Sequence, residues 1–252
     1  MKTGKRSVAF SGMAILLFVS SFPAAIASEL PAKFDWRTKG IITPVRCQKN
    51  FGACGVFAGV ALFEALIKKE TGRTVDLSEQ HVINGSSDWR SSGMSAPSAL
   101  KFMRDHGIVL EKHLPYRAGR TDEKPDHPLD YILTEYHTEE THGLPLREKI
   151  RRFKEAILEF GPVATNMTVY KDYDSYRSGI YVYDGISEEI GGHWVLVVGW
   201  EDDPSVKNGG YWICKNSDLP SSDRGYINIA YGEAGIDDFW FAYGIYRPDS
   251  QD

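Results

Sequence analysis

An almost unbroken apolar run from Val56 to Ile67 constrains this chain more than any other stretch. It is too long for an ordinary strand. Its glycines, Gly55 and Gly59, lie near its start, and Lys68 and Lys69 close it just before Gly72. Apolar length, a basic last turn and a glycine stop together predict a buried helix. The segment before it, Gln48-Lys49-Asn50-Phe51-Gly52-Ala53, is polar and irregular, so Cys54 falls at or near the first helical turn.

That position has chemical consequences. A first turn offers unpaired backbone N–H groups and the positive end of the helix dipole. Both favour thiolate over thiol and make a cysteine a nucleophile near neutral pH. Gln48, six residues upstream, could bring a side-chain N–H donor to the same place. Taken alone, Cys54 reads equally as a small buried core residue.

The chain has 252 residues and a formal net charge of -5. Its hydrophobic share of 42% suffices for a sizeable core, as one large or two small domains. The acidic balance, with no basic cluster against it, excludes nucleic acid as the main partner. Lys2, Lys5 and Arg6, the apolar run Ala14 to Phe22 and the small residues Ala25-Ile26-Ala27 predict a secretory signal peptide over 1–27. The apolar run is too short to span a bilayer, and no later stretch is long enough, so no membrane association is expected after cleavage. Three cysteines, Cys47, Cys54 and Cys214, leave at least one thiol unpaired within the chain, with a Cys47–Cys214 bridge left open.

Pro31 to Val45 reads as an extended arm with turns. Ser78 is placed to cap a short helix over Leu77 to Val82, and Pro97 to His106 reads as a helix ended by Gly107. The charged stretch Gly119 to Pro128 passes between two halves. After it, Tyr131 to Thr138 alternates like a strand, and Leu146 to Phe160 has helical spacing up to Gly161-Pro162. Strands are expected at Val163 to Val169, Gly179 to Tyr183, His193 to Trp200, Tyr211 to Lys215, Gly225 to Ala230 and Phe239 to Tyr246. Asp184-Gly185 and Asn208-Gly209 supply turns. The pattern is α+β: a mainly helical half over 28–125 and a mainly antiparallel β half over 126–252.

Seven histidines are present, and six lie in polar or helical surroundings. His193 instead follows Gly191-Gly192 and opens a buried-strand pattern, where a ring is held rigidly as a general base should be. Asn216 ends the strand Tyr211 to Lys215, where its amide oxygen could fix an imidazole tautomer.

In the order Gln48, Cys54, His193, Asn216, the chain resembles the papain-like cysteine peptidases. Leu30 to Arg37 is similar to that family's mature start, and Ile42-Thr43-Pro44-Val45 and Gln48 follow in register. Gly52-Ala53-Cys54 falls on the nucleophile motif and Leu77-Ser78-Glu79-Gln80 on the next signature. Leu114-Pro115-Tyr116, Gly161-Pro162-Val163, Ser178 to Tyr181, Gly192-His193 and Tyr211 to Ser217 also correspond. The separation of Cys54 from His193 fits the family, while Asn216 lies somewhat further on.

The resemblance implies a two-lobed fold, with a helical lobe and an antiparallel β-barrel-like lobe flanking a cleft. It implies a thiolate–imidazolium pair of Cys54 and His193, oriented by Asn216, with Gln48 and the Cys54 backbone N–H as oxyanion hole. No metal or organic cofactor is required. The expected partner is a peptide or protein substrate, with an external inhibitor as one means of control, and the protein is expected to be an exported monomer. Gly93, in the loop Ser91-Ser92-Gly93, would present backbone groups to the substrate, and Met94, Ser95, Gly192, Trp194 and Phe239 would shape an apolar pocket.

Three residues depart from the family at the site: Gly55 and Asp218 replace aromatics, and Trp194 replaces a small residue. Trp194 is expected to fill the vacated space and keep the site dry. Phe51, Gly85, Arg90 and Ala234 stand where family cysteines are expected, and no inhibitory prosegment is expected between signal and enzyme. Two other readings stay open: a non-catalytic peptide-binding relative, and an acyl-transfer or amidase activity on a non-protein substrate.

Overall fold

The structure, a computed structural model, describes residues 30–90, 93–218 and 223–248. The expected signal peptide over 1–27 lies outside the described residues. The long apolar run is a helix, α1 (Cys54–Thr71), buried continuously from Gly55 to Ile67. Gly72 ends it in the left-handed region at φ 73°, its N–H reaching the Lys68 carbonyl. Ser78 caps α2 (Glu79–Gly85) by accepting the His81 N–H, and Ser95 caps α3 (Ala96–His106), which stops at Gly107. The fourth helix, α4 (Leu146–Glu159), is amphipathic, burying Phe153, Ala156 and Ile157.

Among the described residues, eight strands follow one another: β1 (Lys33–Asp35), β2 (Glu135–Glu140), β3 (Val163–Tyr170), β4 (Ile180–Tyr181), β5 (Glu189–Asp202), β6 (Gly210–Lys215), β7 (Tyr226–Ala230) and β8 (Trp240–Ile245). Their order in the sheet is β2-β8-β3-β5-β6-β7-β4, with β1 also on β5. Pairing is antiparallel except between β4 and β7, which run parallel.

Period-2 alternation along β5 divides the core. Leu196 and Val198 pack on the side of α1 to α3, while Val195 and Val197 pack with α4 and an aromatic cluster around Trp200 and Trp212. The sheet therefore has helices on both faces.

The N-terminal arm is extended and then turns: β1 adds to β5 (Phe34↔Trp200), followed by a 3-10 turn over Trp36–Lys39. Gly199 permits this, since a Cβ there would stand 2.2 Å from the Phe34 carbonyl oxygen. The strand expected at Tyr131 starts only at Glu135, because Tyr131 instead bridges Ile108. The histidine strand begins at Glu189, drawn out by its pairing with β3 (Tyr170↔Glu189).

Candidate active site

Cys54 is the first residue of α1, and the preceding Ala53 offers no side-chain cap. The first-turn N–H groups are thus not consumed by a capping oxygen. The segment 93–95 packs tightly against this helix start. A Cβ on Gly55 would lie 2.0 Å from the Met94 carbonyl oxygen, and one on Gly93 would lie 2.1 Å from the Gly52 carbonyl oxygen. Gly55 is therefore not a gap left by a lost aromatic, because backbone already fills the place a side chain would take.

His193 arrives from β5, buried at 8% exposure. The β5–β6 register, Leu196↔Lys215, brings Asn216 alongside this end of β5. Asn216 Oδ1 lies 2.7 Å from His193 Nε2 and accepts the backbone N–H groups of Ser217 (2.8 Å) and Asp218 (3.1 Å). Its Nδ2 donates to the Asp218 carbonyl (2.8 Å) and to the Tyr173 hydroxyl (3.3 Å). Two backbone donors identify Oδ1 as the acceptor, so Nε2 of His193 carries the hydrogen. Nδ1 is left as the nitrogen that can exchange a proton with Cys54.

The electrostatics of Cys54 and His193 are opposed. Burial pushes the Cys54 thiol up, but the neighbouring imidazole, through hydrogen bonding and charge, and the Trp194 and Gly55 N–H groups bring it below its ordinary 9.0. Burial pulls His193 down, but Cys54, the Asn216 amide and the Asp218 charge leave it above its ordinary 6.5.

Gln48 is also buried. Its Oε1 accepts the Ser217 hydroxyl at 2.7 Å, its backbone N–H reaches the Ser217 carbonyl at 3.0 Å, and its Nε2 donates to the Phe51 carbonyl at 3.0 Å. The amide is thereby locked with nitrogen toward the Cys54 loop, where one N–H is used and one remains.

A cleft of about 350 Å³ contains Cys54 and His193, with Gly93, Met94 and Ser95 on one side and Gly192 and Trp194 on the other. Phe239 is not part of it: its carbonyl takes the Thr141 and His142 N–H groups, and its ring lies over Gly235. The ring that meets Trp194 is that of Trp240, at 5.0 Å between centroids. An aromatic residue in hydrogen-bond contact with Asn216 is Tyr173, which the sequence did not point to. Asp88, Arg90, Ser98 and Asn166 also line the cleft, and sequence reasoning passed over them. Asp88 and Arg90 lie in a loop, Ser98 in the first turn of α3 and Asn166 on β3, without a motif around them.

All three cysteines are free, so Cys47 and Cys214 do not pair. Where family cysteines were expected, other packing is found. Phe51 stacks on Trp89, next to Arg90, at 5.0 Å and 6° between planes, and the Phe102 ring stands 2.7 Å from where a Cβ of Gly85 would be.

The family model for papain family cysteine proteases matches residues 30–242. The chain is 31% identical over 210 residues to human cathepsin L2, covering 80% of this chain and 61% of that protein. It is 31% identical over 217 residues to cathepsin S from Bos taurus, covering 80% and 60%. It thus spans about three fifths of the length of these curated relatives. Among solved structures it is similar to the bromelain protease from Ananas comosus in complex with the E64 inhibitor. That match has a TM-score of 0.71 at 24% identity over 86% of this chain and 100% of that one. It is also similar to the Carica candamarcensis cysteine protease CMS1MS2 in complex with E-64, at TM-score 0.70 and 25% identity over 85% and 98%. The α+β fold is papain-like, and the chain belongs to the papain family of cysteine proteases.

Proposed function

We propose that this protein is an exported cysteine peptidase that hydrolyses peptide bonds through a Cys54–His193–Asn216 arrangement. The observation that carries the reading is the opposed displacement of Cys54 and His193, with the imidazole tautomer fixed by Asn216. The Cys54 thiolate attacks the peptide carbonyl carbon and forms a C–S bond. The resulting oxyanion is met by the Cys54 backbone N–H and the remaining Nε2 hydrogen of Gln48. His193 Nδ1–H protonates the leaving amine as the C–N bond breaks. The same nitrogen then takes a proton from water, which attacks the thioester, releases the acid and restores the pair.

An extended peptide would lie along Gly93, with a side chain entering between Met94 and Trp194, and we expect an apolar residue there. The N-terminal charge and apolar pattern over 1–27 supports export. Division into lobes at about residue 125, a monomeric state and independence of cofactors are parts of the same proposal. Turnover of a quenched peptide library, titrated with the inhibitor E-64, tests it. Cleavage that stops at one equivalent of inhibitor per chain supports the peptidase. Inhibitor-free peptide binding without cleavage supports a binding relative instead, and hydrolysis confined to small amides supports an amidase.

A further inference from the structure

The segment linking the two halves brings His113, His127 and Asp130 together, with one donor atom of each within 4.8 Å of the others. His113 ends a 3-10 turn over Glu111–His113, and the other two follow in the loop before β2. His127 Nδ1 is 2.7 Å from the Pro128 carbonyl oxygen, which can only accept, so Nδ1 carries the hydrogen and Nε2 the lone pair. His113 Nδ1 lies 3.5 Å from the Asp126 carboxylate, while its Nε2 is buried with no hydrogen-bond partner. A buried, unpaired imidazole nitrogen is costly to keep. Asp130 is held by accepting the Leu110 N–H at 2.9 Å through Oδ2.

His113 offers a buried Nε2 with no partner, His127 a partly exposed ring and Asp130 a carboxylate held in place, a donor set that a metal ion can complete. We propose that His113, His127 and Asp130 form a binding site for a divalent transition-metal ion, of which Zn²⁺ is the probe. Two imidazoles and one carboxylate suit zinc, cobalt or nickel and disfavour magnesium and calcium, which take oxygen ligands. The imidazole rings are stacked at 4.0 Å with 14° between planes. Lone pairs in parallel planes cannot meet at one ion, so binding turns the His127 ring and exchanges its Pro128 carbonyl contact for the ion. That side chain is 45% exposed, which leaves it room to move. The ion would tie residue 113 to residue 127 and close the intervening loop. Its effect is on stability, since a ligand bound only by the folded state raises the unfolding temperature with concentration.

The test uses the untagged full chain carrying Cys54→Ala, which removes the competing thiolate at the active site. Zn²⁺ alone is titrated calorimetrically, and the melting temperature is followed against Zn²⁺ and Mg²⁺. The expected result is one saturating equivalent of Zn²⁺, a melting temperature that rises with Zn²⁺ and not with Mg²⁺, and binding weakened at least about tenfold by His127→Ala and by Asp130→Asn. Absence of saturable binding, or binding unchanged in both variants, overturns the site. Neither readout needs peptidase activity, so this result is independent of the proposed function.

Discussion

His193 Nε2 and Asn216 Oδ1 lie 2.7 Å apart, and two backbone N–H groups on the same oxygen leave the imidazole one tautomer for that contact. The bond between β6 and the start of β5 therefore decides which ring nitrogen faces Cys54. It also supports the charged ring, since Asn216 is among the groups that raise the pKa of His193.

Activity should follow a bell in pH. The acid limb belongs to formation of the Cys54 thiolate, displaced below the ordinary thiol range, and the alkaline limb to loss of the His193 proton, displaced above the ordinary imidazole range. Asn216→Ala removes support for the imidazolium, so the alkaline limb should move to lower pH and kcat should fall. A pH profile of kcat/KM for both proteins checks this; coincident alkaline limbs would contradict it.

Tyr173 stands at the other side of the same amide. Its ring packs with Tyr176 and Tyr181 in a buried cluster, on the face of the sheet away from α1. Tyr173→Phe should lower kcat a few-fold and shift the alkaline limb down, with KM little changed. Tyr173→Leu, which also opens the pair to water, should do both more strongly. The His193 C2–H resonance followed against pH gives the same information in the absence of turnover; an unmoved midpoint in Tyr173→Phe would remove the residue from this role.

Gly55→Ala tests how the helix start is packed. Helix propensity by itself favours alanine by about 1 kcal/mol. The added methyl would meet the Met94 carbonyl at 2.0 Å, and overpacking of this kind costs about 1–3 kcal/mol or more. The net sign should be destabilising, read as a lower urea midpoint at unchanged slope. A midpoint equal to or above that of the parent would show that the 93–95 segment yields.

Trp194→Ala should widen the cleft beside Cys54. Discrimination against bulky apolar side chains should relax by roughly 10–100-fold in kcat/KM, the scale set by a few methylene-sized contacts. A library profile identical to the parent's would mean that the indole does not shape the pocket.

Much of this arrangement is legible in the sequence where its causes are local. Ser78, Gly72 and Gly107 cap or end helices through contacts within a few residues, so the local sequence fixes those boundaries to within a turn. The Cys54 helix, His193 and Asn216 carry motifs. What escaped depends on pairing between distant segments. The choice of Trp240 over Phe239 is a one-residue matter, and a step of one along a strand exchanges faces. Tyr173 reaches Asn216 only because β3 hands the chain to a 3-10 turn beside β6, a juxtaposition of residues 43 apart in sequence. β1 could not be read as a strand without knowing that Gly199 lets another backbone come close.

Gln48→Ala should cost about 10²- to 10³-fold in kcat, the usual effect of losing one oxyanion donor. Because the Gln48 amide also accepts from Ser217, Gln48→Glu should restore the fold contact and not the rate. Thermal unfolding beside steady-state kinetics separates the two; equal kcat in Gln48→Ala and parent would exclude an oxyanion role.

The most direct measurement is the rate of Cys54 alkylation by iodoacetamide as a function of pH, in the parent and in His193→Ala. Cys47 and Cys214 are replaced by serine and alanine so that one thiol reports. The parent should react rapidly at mildly acid pH, with a plateau that persists until His193 loses its proton, and His193→Ala should lose the acid reactivity and rise only toward the ordinary thiol range. A parent profile that rises only there, superimposed on that of His193→Ala, would contradict the ion pair on which the chemistry rests.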